Sequence, residues 1–196
     1  MSVDSAAGLS AVIGAGALAV IPTDTVYGIC CDAGSQTAVA HLELLKGRPS
    51  GKPAAVAFFS IEEALEALPE LGERTAGAVR TLLPGALTLL VSNPAARFPL
   101  AGGELLGVRV IDLSLEPGRA VLLTSANLAG GRDPRTLEEV PATLLRAAGL
   151  AIDHGTLPGT PSTVVDLGEF ESTGRWRIVR EGAVPRAAVQ RALVGS

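Results

Sequence analysis

The stretch Leu18-Ala19-Val20-Ile21-Pro22-Thr23-Asp24-Thr25-Val26-Tyr27-Gly28 joins a short apolar run directly to a polar segment. Leu18 to Ile21 reads as a buried strand. Three hydroxyl side chains and one carboxylate then follow at its carboxyl end, the edge at which open α/β sheets usually bind ligands. A polar turn bonded to its own backbone accounts for the same residues, so the segment alone has two readings.

Working outward, the chain alternates strands and helices without an internal repeat. Ser35 to Lys46 carries Ala38, Leu42 and Leu45 at helical spacing, with Gly47 just past its end. Ala54 to Phe59 reads as a strand, and Ser60 with Glu63 forms a capping box opening a helix to about Leu68. A helix over Glu73–Leu83 is broken by Pro84-Gly85. Strands are expected at Leu87–Val91, Gly107–Ile111, Ala120–Leu123, Thr163–Leu167 and Arg175–Val179, with helices starting near Pro141 and Pro185. Gly102–Leu106 and Gly168–Gly174 read as surface loops. The sum is an α/β fold with an open, mixed, twisted sheet.

Composition sets the bounds. With 196 residues, 47% hydrophobic, the chain is long enough for one well-buried core, and a single domain over 1–196 is expected. Its net charge of -4 excludes a global basic field drawing it onto nucleic acid or an anionic membrane, while leaving room for a local basic groove. No apolar run approaches the roughly 20 residues of a membrane helix, and Ser2 to Gly16 lacks the pattern of a signal peptide. A soluble, cytoplasmic protein is the expectation. The two cysteines, Cys30 and Cys31, are adjacent, so a disulfide between them would be badly strained. Both histidines, His41 and His154, lie far from them in sequence, which argues against zinc. The thiols read as small core groups at the end of a strand.

Three further segments carry polar chemistry. Lys46-Gly47-Arg48-Pro49, with Lys52 after it, places three cations where a helix cannot continue. They can converge on a polyphosphate, or simply favour the negative end of the helix. The P-loop pattern GxxxxGK[ST] is absent, and no GxGxxG follows a strand. Thr124-Ser125-Ala126-Asn127 follows an apolar strand, and its hydroxyl and amide can face a ligand or turn the chain. No nucleophile elbow surrounds Ser125, which argues against a serine hydrolase. Pro161-Ser162-Thr163 and Arg180-Glu181-Gly182 sit beside the last two strands.

In this order, the segments resemble the YrdC/TsaC family of threonylcarbamoyl-AMP synthases. The resemblance runs from about Ala17 to Val184 through PTDTVYG, KGRP, PGALT at Pro84–Thr88, GVRV at Gly107–Val110, TSAN, PSTVVDL and IVREGAV. It implies the single-domain form of a YrdC-like fold, an open sheet with a concave ligand-binding face. It also implies a nucleotidyl transfer that makes L-threonylcarbamoyladenylate and pyrophosphate from ATP, L-threonine and bicarbonate, for modification of tRNA. Lys46, Arg48, Lys52, Asn127 and Arg180 would then contact ATP, with Lys46 and Arg48 catalytic. Thr25, Arg109, Ser125 and Ser162 would contact threonine. Mg²⁺ would enter bound to ATP, and Asp24 is a candidate base for the threonine amine. Lys46-Gly47-Arg48 and Ser125-Ala126-Asn127 would form opposite walls of one pocket, with tRNA and the downstream transferase machinery as partners.

The chain departs from the family pattern in three places. Ile111-Asp112-Leu113 stands where the family usually has Pro-Asp-His, and a loop is expected in place of the helix that follows. Ala57 replaces a His near the threonine pocket, and Arg135 replaces a Thr that often touches nucleotide. Two other readings remain open: a double-stranded RNA-binding module of the same fold, and a diverged paralogue with another amino acid or acyl acceptor. The net charge and an aromatic content of 3% weigh against base stacking.

Overall fold

The computed structural model describes residues 3–49, 54–113 and 119–194. In chain order the elements are α1 Val3–Gly14, β1 Leu18–Ile21, β2 Gly28–Asp32, α2 Gln36–Lys46, β3 Ala55–Phe58, α3 Ile61–Ala67, α4 Glu73–Leu82, β4 Leu87–Ser92 and β5 Leu105–Val110. They continue with β6 Val121–Ser125, α5 Ala142–Ala147, β7 Ala148–Ala151, β8 Thr163–Asp166, α6 Phe170–Thr173, β9 Arg177–Arg180 and α7 Arg186–Val194. The strands form one nine-stranded sheet ordered β7-β1-β2-β6-β3-β5-β4-β8-β9. It is mixed: β1/β7, β3/β5 and β4/β8 run parallel, while β1/β2, β2/β6, β3/β6, β4/β5 and β8/β9 run antiparallel.

Local chemistry explains the ends of the elements. Ser35 Oγ accepts from Ala38 N–H (3.3 Å) to cap α2, and Gly47 at φ 62° ends it in the left-handed region, where Arg48 N–H reaches Glu43 O (2.9 Å). Ser60 Oγ accepts from Glu63 N–H (3.0 Å), and the Glu63 carboxylate turns back onto Phe59 N–H (3.1 Å). Gly72 opens α4 without a side-chain cap, and Glu171 supplies one from far along the chain, accepting from Thr75 N–H (2.8 Å) and Oγ1 (2.9 Å).

Period-2 alternation distributes the strand side chains between two apolar layers. Leu18, Val20, Cys31, Val56, Phe58, Leu89, Val108 and Leu122 join the main core, which α2, α3, α4 and α7 cover through Leu42, Ala64, Val79 and Val189. Ala19, Ile21, Cys30, Ala57, Val121 and Leu123 join a smaller cluster under Leu9 and Ile13 of α1. Cys30 and Cys31 thus lie on opposite faces of β2 as free, buried thiols. The face that carries α1 stays uncovered farther along, over β3, β5, β4 and β8, and a cleft opens there.

The expected strands and helices are present with ends shifted by a residue or two, and α1, β2, β7 and α6 come in addition to them. The segment 168–174, expected to be loop, contains α6, because Phe170 buries its ring in the main core and nucleates a turn there. Leu105 and Leu106, expected in a loop, open β5 by pairing with Ser92 and Val91. Cys30 and Cys31 are buried near the end of a strand, as expected, and that strand is β2, for which no bounds were expected. The expected loop between Asp112 and Leu123 falls largely on residues 114–118, outside those described.

Candidate active-site cleft

The cleft has a volume of about 820 Å³, within the range of small-molecule sites. Of the expected site residues among those described, Thr25, Lys46, Arg48, Arg109, Ser125, Asn127, Ser162 and Arg180 line it, while Asp24, the candidate base, is not part of its lining and meets it through Arg109. Lys52 lies outside the described residues. The lining holds four cations, Lys46, Arg48, Arg109 and Arg180, against the carboxylates of Glu104 and Asp133. A locally positive cleft in a chain of net charge -4 focuses potential on an anionic ligand.

One wall is built where α2 ends. Lys46 is only 4% exposed, and its Nζ donates to Ser125 O, to Asn127 O (2.7 Å) and to Asn127 Oδ1 (3.2 Å). Ala129 N–H returns a bond to Lys46 O (2.9 Å). Lys46 and Ser125-Ala126-Asn127 therefore share one wall, in direct contact, rather than facing each other across the pocket. The reason is that Gly47 turns the chain at the helix end directly beside the end of β6. Arg48 Nη1 donates to Thr124 Oγ1 (3.1 Å), and burial lowers its pKa against the pull of Glu43. Ser125 Oγ donates to Asn127 Oδ1 (2.8 Å), while Asn127 Nδ2 braces Gly131 O (2.6 Å) and Asp133 (3.2 Å). Asn127 lines the cleft, yet its amide already ties the wall together.

The strap 22–27 runs beside this wall, because β2 pairs with β6 and sets Gly28 opposite Ser125. Thr23 Oγ1 donates to Val26 O (2.8 Å) and accepts from Val26 N–H (3.3 Å) and Thr25 N–H (3.2 Å). Thr25 Oγ1 lies 2.9 Å from Thr23 Oγ1, a contact in which either hydroxyl can donate. Both earlier readings of the segment hold: it bonds its own backbone, and it presents Thr25 to the cleft. Tyr27 anchors the strap from beneath, its hydroxyl accepting from His154 N–H (2.8 Å) beside Asp153 Oδ1 (3.0 Å).

The other end of the cleft is set by β5, β8 and β9. Arg109 is 7% exposed, its Nη2 donates to Asp24 Oδ1, and its buried Nε has no acceptor among the described residues. Burial pushes the Asp24 carboxyl up against the pull of Arg109, and the same burial lowers Arg109. Ser162 is held by two partners, Thr88 and Arg180. Its Oγ shares a proton with Thr88 Oγ1 (2.9 Å), and Arg180 Nη2 donates to its carbonyl (2.7 Å) and hydroxyl (3.1 Å). Gly182 lets the turn after β9 approach so closely that an added Cβ would lie 2.3 Å from Pro161 O.

Sequence reasoning missed Thr88 and Thr124 as partners of Ser162 and Arg48. Both stand inside quoted runs, PGALT and TSAN, but nothing in their spacing names a partner 74 or 76 residues away. Arg135 does not line the cleft: its Nε donates to Leu157 O (3.3 Å), and its side chain packs over Gly159. Ala57 lies opposite Arg109 in the β3–β5 register and is buried in the smaller cluster.

An open mixed sheet with a cationic cleft across one uncovered face defines a class, α/β proteins that hold a small anionic ligand on a concave sheet surface. The chain belongs to the Sua5/YciO/YrdC family, whose model, described as "Telomere recombination", matches residues 11–182. It is 31% identical to the mouse threonylcarbamoyl-AMP synthase over 86% of this chain and 63% of that protein. It is 28% identical to the threonylcarbamoyl-AMP synthase of Pyrococcus abyssi over 91% of this chain and 54% of that protein. The chain thus spans between half and two thirds of the length of these relatives. Among solved structures, it superposes on P. abyssi Sua5 complexed with L-threonine at a TM-score of 0.78 and 25% identity, covering 94% of this chain and 56% of that one.

Proposed function

We propose that this chain is a threonylcarbamoyl-AMP synthase, a cytoplasmic enzyme that converts L-threonine, bicarbonate and ATP to L-threonylcarbamoyladenylate and pyrophosphate. The observation that carries this reading is the convergence of Lys46, Arg48, Arg109, Arg180, Ser125 and Ser162 on one cleft. The chemistry needs such a site. Threonine's amine adds to bicarbonate carbon, and the resulting carbamate oxygen attacks the α-phosphorus as pyrophosphate leaves. Carbamate and triphosphate are both anionic, so fixed cations that offset their repulsion and align them supply the main catalytic levers, positioning and electrostatic stabilisation.

In this reading Arg48, Arg180, Lys46 and Asn127 lie toward the nucleotide, and Lys52, outside the described residues, is proposed as a further ATP contact. Lys46 also holds the Ser125 wall in place. Arg109 suits threonine's carboxylate, because a guanidinium fork matches two carboxylate oxygens, and Thr25, Ser125 and Ser162 offer hydroxyls around it. Among the described residues no group of three His, Cys, Asp or Glu side chains is placed to hold a metal ion. Mg²⁺ in this reading is part of the substrate, held by ATP's phosphates.

The test is pyrophosphate release from purified protein with Mg²⁺-ATP and bicarbonate. The reading expects release that requires L-threonine and falls at least about a hundredfold in Arg109→Ala, the scale of a lost transition-state contact. Release independent of threonine, or equal with serine and glycine, would instead favour a diverged acceptor. Its complete absence would sink the reading.

A further inference from the structure

Arg109 carries two features that the family reading leaves unexplained. One of its donors is spent on Asp24, and its buried Nε has no acceptor among the described residues. A buried donor without a partner calls for an explanation, and an incoming oxygen supplies one. Asp24 sits on the strap whose backbone Thr23 fixes, with its side chain 29% exposed, so it can swing while the strap stays in place.

Resting on the function proposed above, we infer that Asp24 and Arg109 form a charge latch that opens onto a zwitterionic α-amino acid. The α-carboxylate takes Arg109 Nη2 and Nε, and the released Asp24 carboxylate receives the α-ammonium and then its proton. An amino acid carries the same two charges as the latch, so one ion pair becomes two and neither Asp24 nor Arg109 is left uncompensated. That matters at this depth, because a buried charge stripped of its partner is costly.

The exchange also makes Asp24 a better base at the moment one is needed. Arg109 holds its carboxyl down against burial, and the arriving carboxylate takes that restraint away. The ammonium N–H bond then breaks, its proton passes to an Asp24 oxygen, and nitrogen keeps the electron pair. Nitrogen bonds to the bicarbonate carbon, one C–O bond breaks, and that oxygen leaves as water with another of nitrogen's protons. Asp24, its side chain 29% exposed, returns its proton to solvent. Asp24 is in this account a catalytic residue that also keeps Arg109 masked until a substrate arrives.

Titration calorimetry with L-threonine and 3-hydroxybutyrate, the same carboxylate without the ammonium, tests this on the full chain. The wild type should prefer threonine by about tenfold or more, the scale of one charge-assisted contact. In Asp24→Asn that preference should collapse from both directions: threonine weakens, and 3-hydroxybutyrate tightens because Arg109 is no longer masked. Equal affinities in the wild type, or an unchanged ratio in Asp24→Asn, would overturn the latch while leaving the synthase reading intact. Failure of the wild type to bind threonine at all would remove both. Should Asp24→Asn not fold, Asp24→Ser carries the same comparison, and the wild-type ratio already decides.

Discussion

Replacing Gly182 by Ala should damage the cleft without touching a substrate-binding side chain. The added Cβ would meet Pro161 O at 2.3 Å and the Ser162 carbonyl carbon and oxygen at 2.6 Å. Ordinary contact begins at 3.4 Å, so one backbone must yield by about 1 Å, the difference between 3.4 and 2.3 Å. Neither side yields freely. Ala183 N–H bonds Pro161 O (2.9 Å), Thr163 Oγ1 donates to Val184 O (2.7 Å), and Arg180 grips the Ser162 carbonyl. Forcing a group into such packing costs about 1–3 kcal/mol, a fall in Tm of roughly 2–4 °C for each kcal/mol in a chain of this size. The displaced atoms carry Ser162, and a misplacement of about 1 Å can cost on the order of a hundredfold in turnover. Thermal unfolding followed by circular dichroism, together with threonine-dependent pyrophosphate release, reads both effects. Gly77→Ala is the control, since its Cβ meets nothing within 4 Å on α4, and it should leave stability equal or raise it by about 0.5–1 kcal/mol. If Gly182→Ala melts and turns over like the wild type, the argument that close approach at Gly182 positions Ser162 is wrong.

Three other outcomes follow from the same contacts. Lys46→Met should lower stability by about 2–4 kcal/mol in urea titration, because Ser125 O and Asn127 O lose their buried donor, and should abolish turnover. Native protein at pH 8 should not react with a thiol-directed disulfide reagent and should yield two thiols once unfolded, since burial pushes Cys31 up to about 12 and Cys30 higher still. Glu171→Ala should cost about 1 kcal/mol by removing the cap of α4. Glu171 is held below its ordinary 4.5, chiefly by Thr75 N–H, so the folded protein gains this stability above the unfolded pKa and loses it as pH falls through that range. Melting curves of wild type and Glu171→Ala should therefore converge on acidification.

The legible parts of the fold were those whose cause is local. Ser35, Gly47 and Ser60 mark helix ends through bonds to residues three or four away, and so α2 and α3 could be placed from the chain alone. Three elements had no such mark. Helix α1 mixes Gly, Ser and Ala with only a few apolar anchors, and Leu9 and Ile13 become core because β1 and β2 lie beneath them. Strand β7, Ala148–Ala151, has no β-branched residue and is a strand because it adds to β1 in parallel. Helix α6 rests on Phe170 finding the core.

The candidate site divides in the same way. The sequence by itself determined which residue types were available, and it placed Lys46, Ser125 and Arg180 at the ends of elements, where side chains can meet a ligand. It also left a net negative chain in which Lys46, Arg48 and Lys52 fall within seven residues. Only the tertiary structure decided who meets whom. Lys46 bonds Ser125 across 79 residues and Arg109 bonds Asp24 across 85. Those partnerships depend on sheet order and strand register, which arise from the burial of whole faces and not from the few neighbouring dihedrals that set a cap or a turn. For that reason two patches that each read as ordinary helix-end or turn chemistry became one wall of a cleft. The Asp24–Arg109 pair could be seen only once β1 and β5 had been folded into the same sheet.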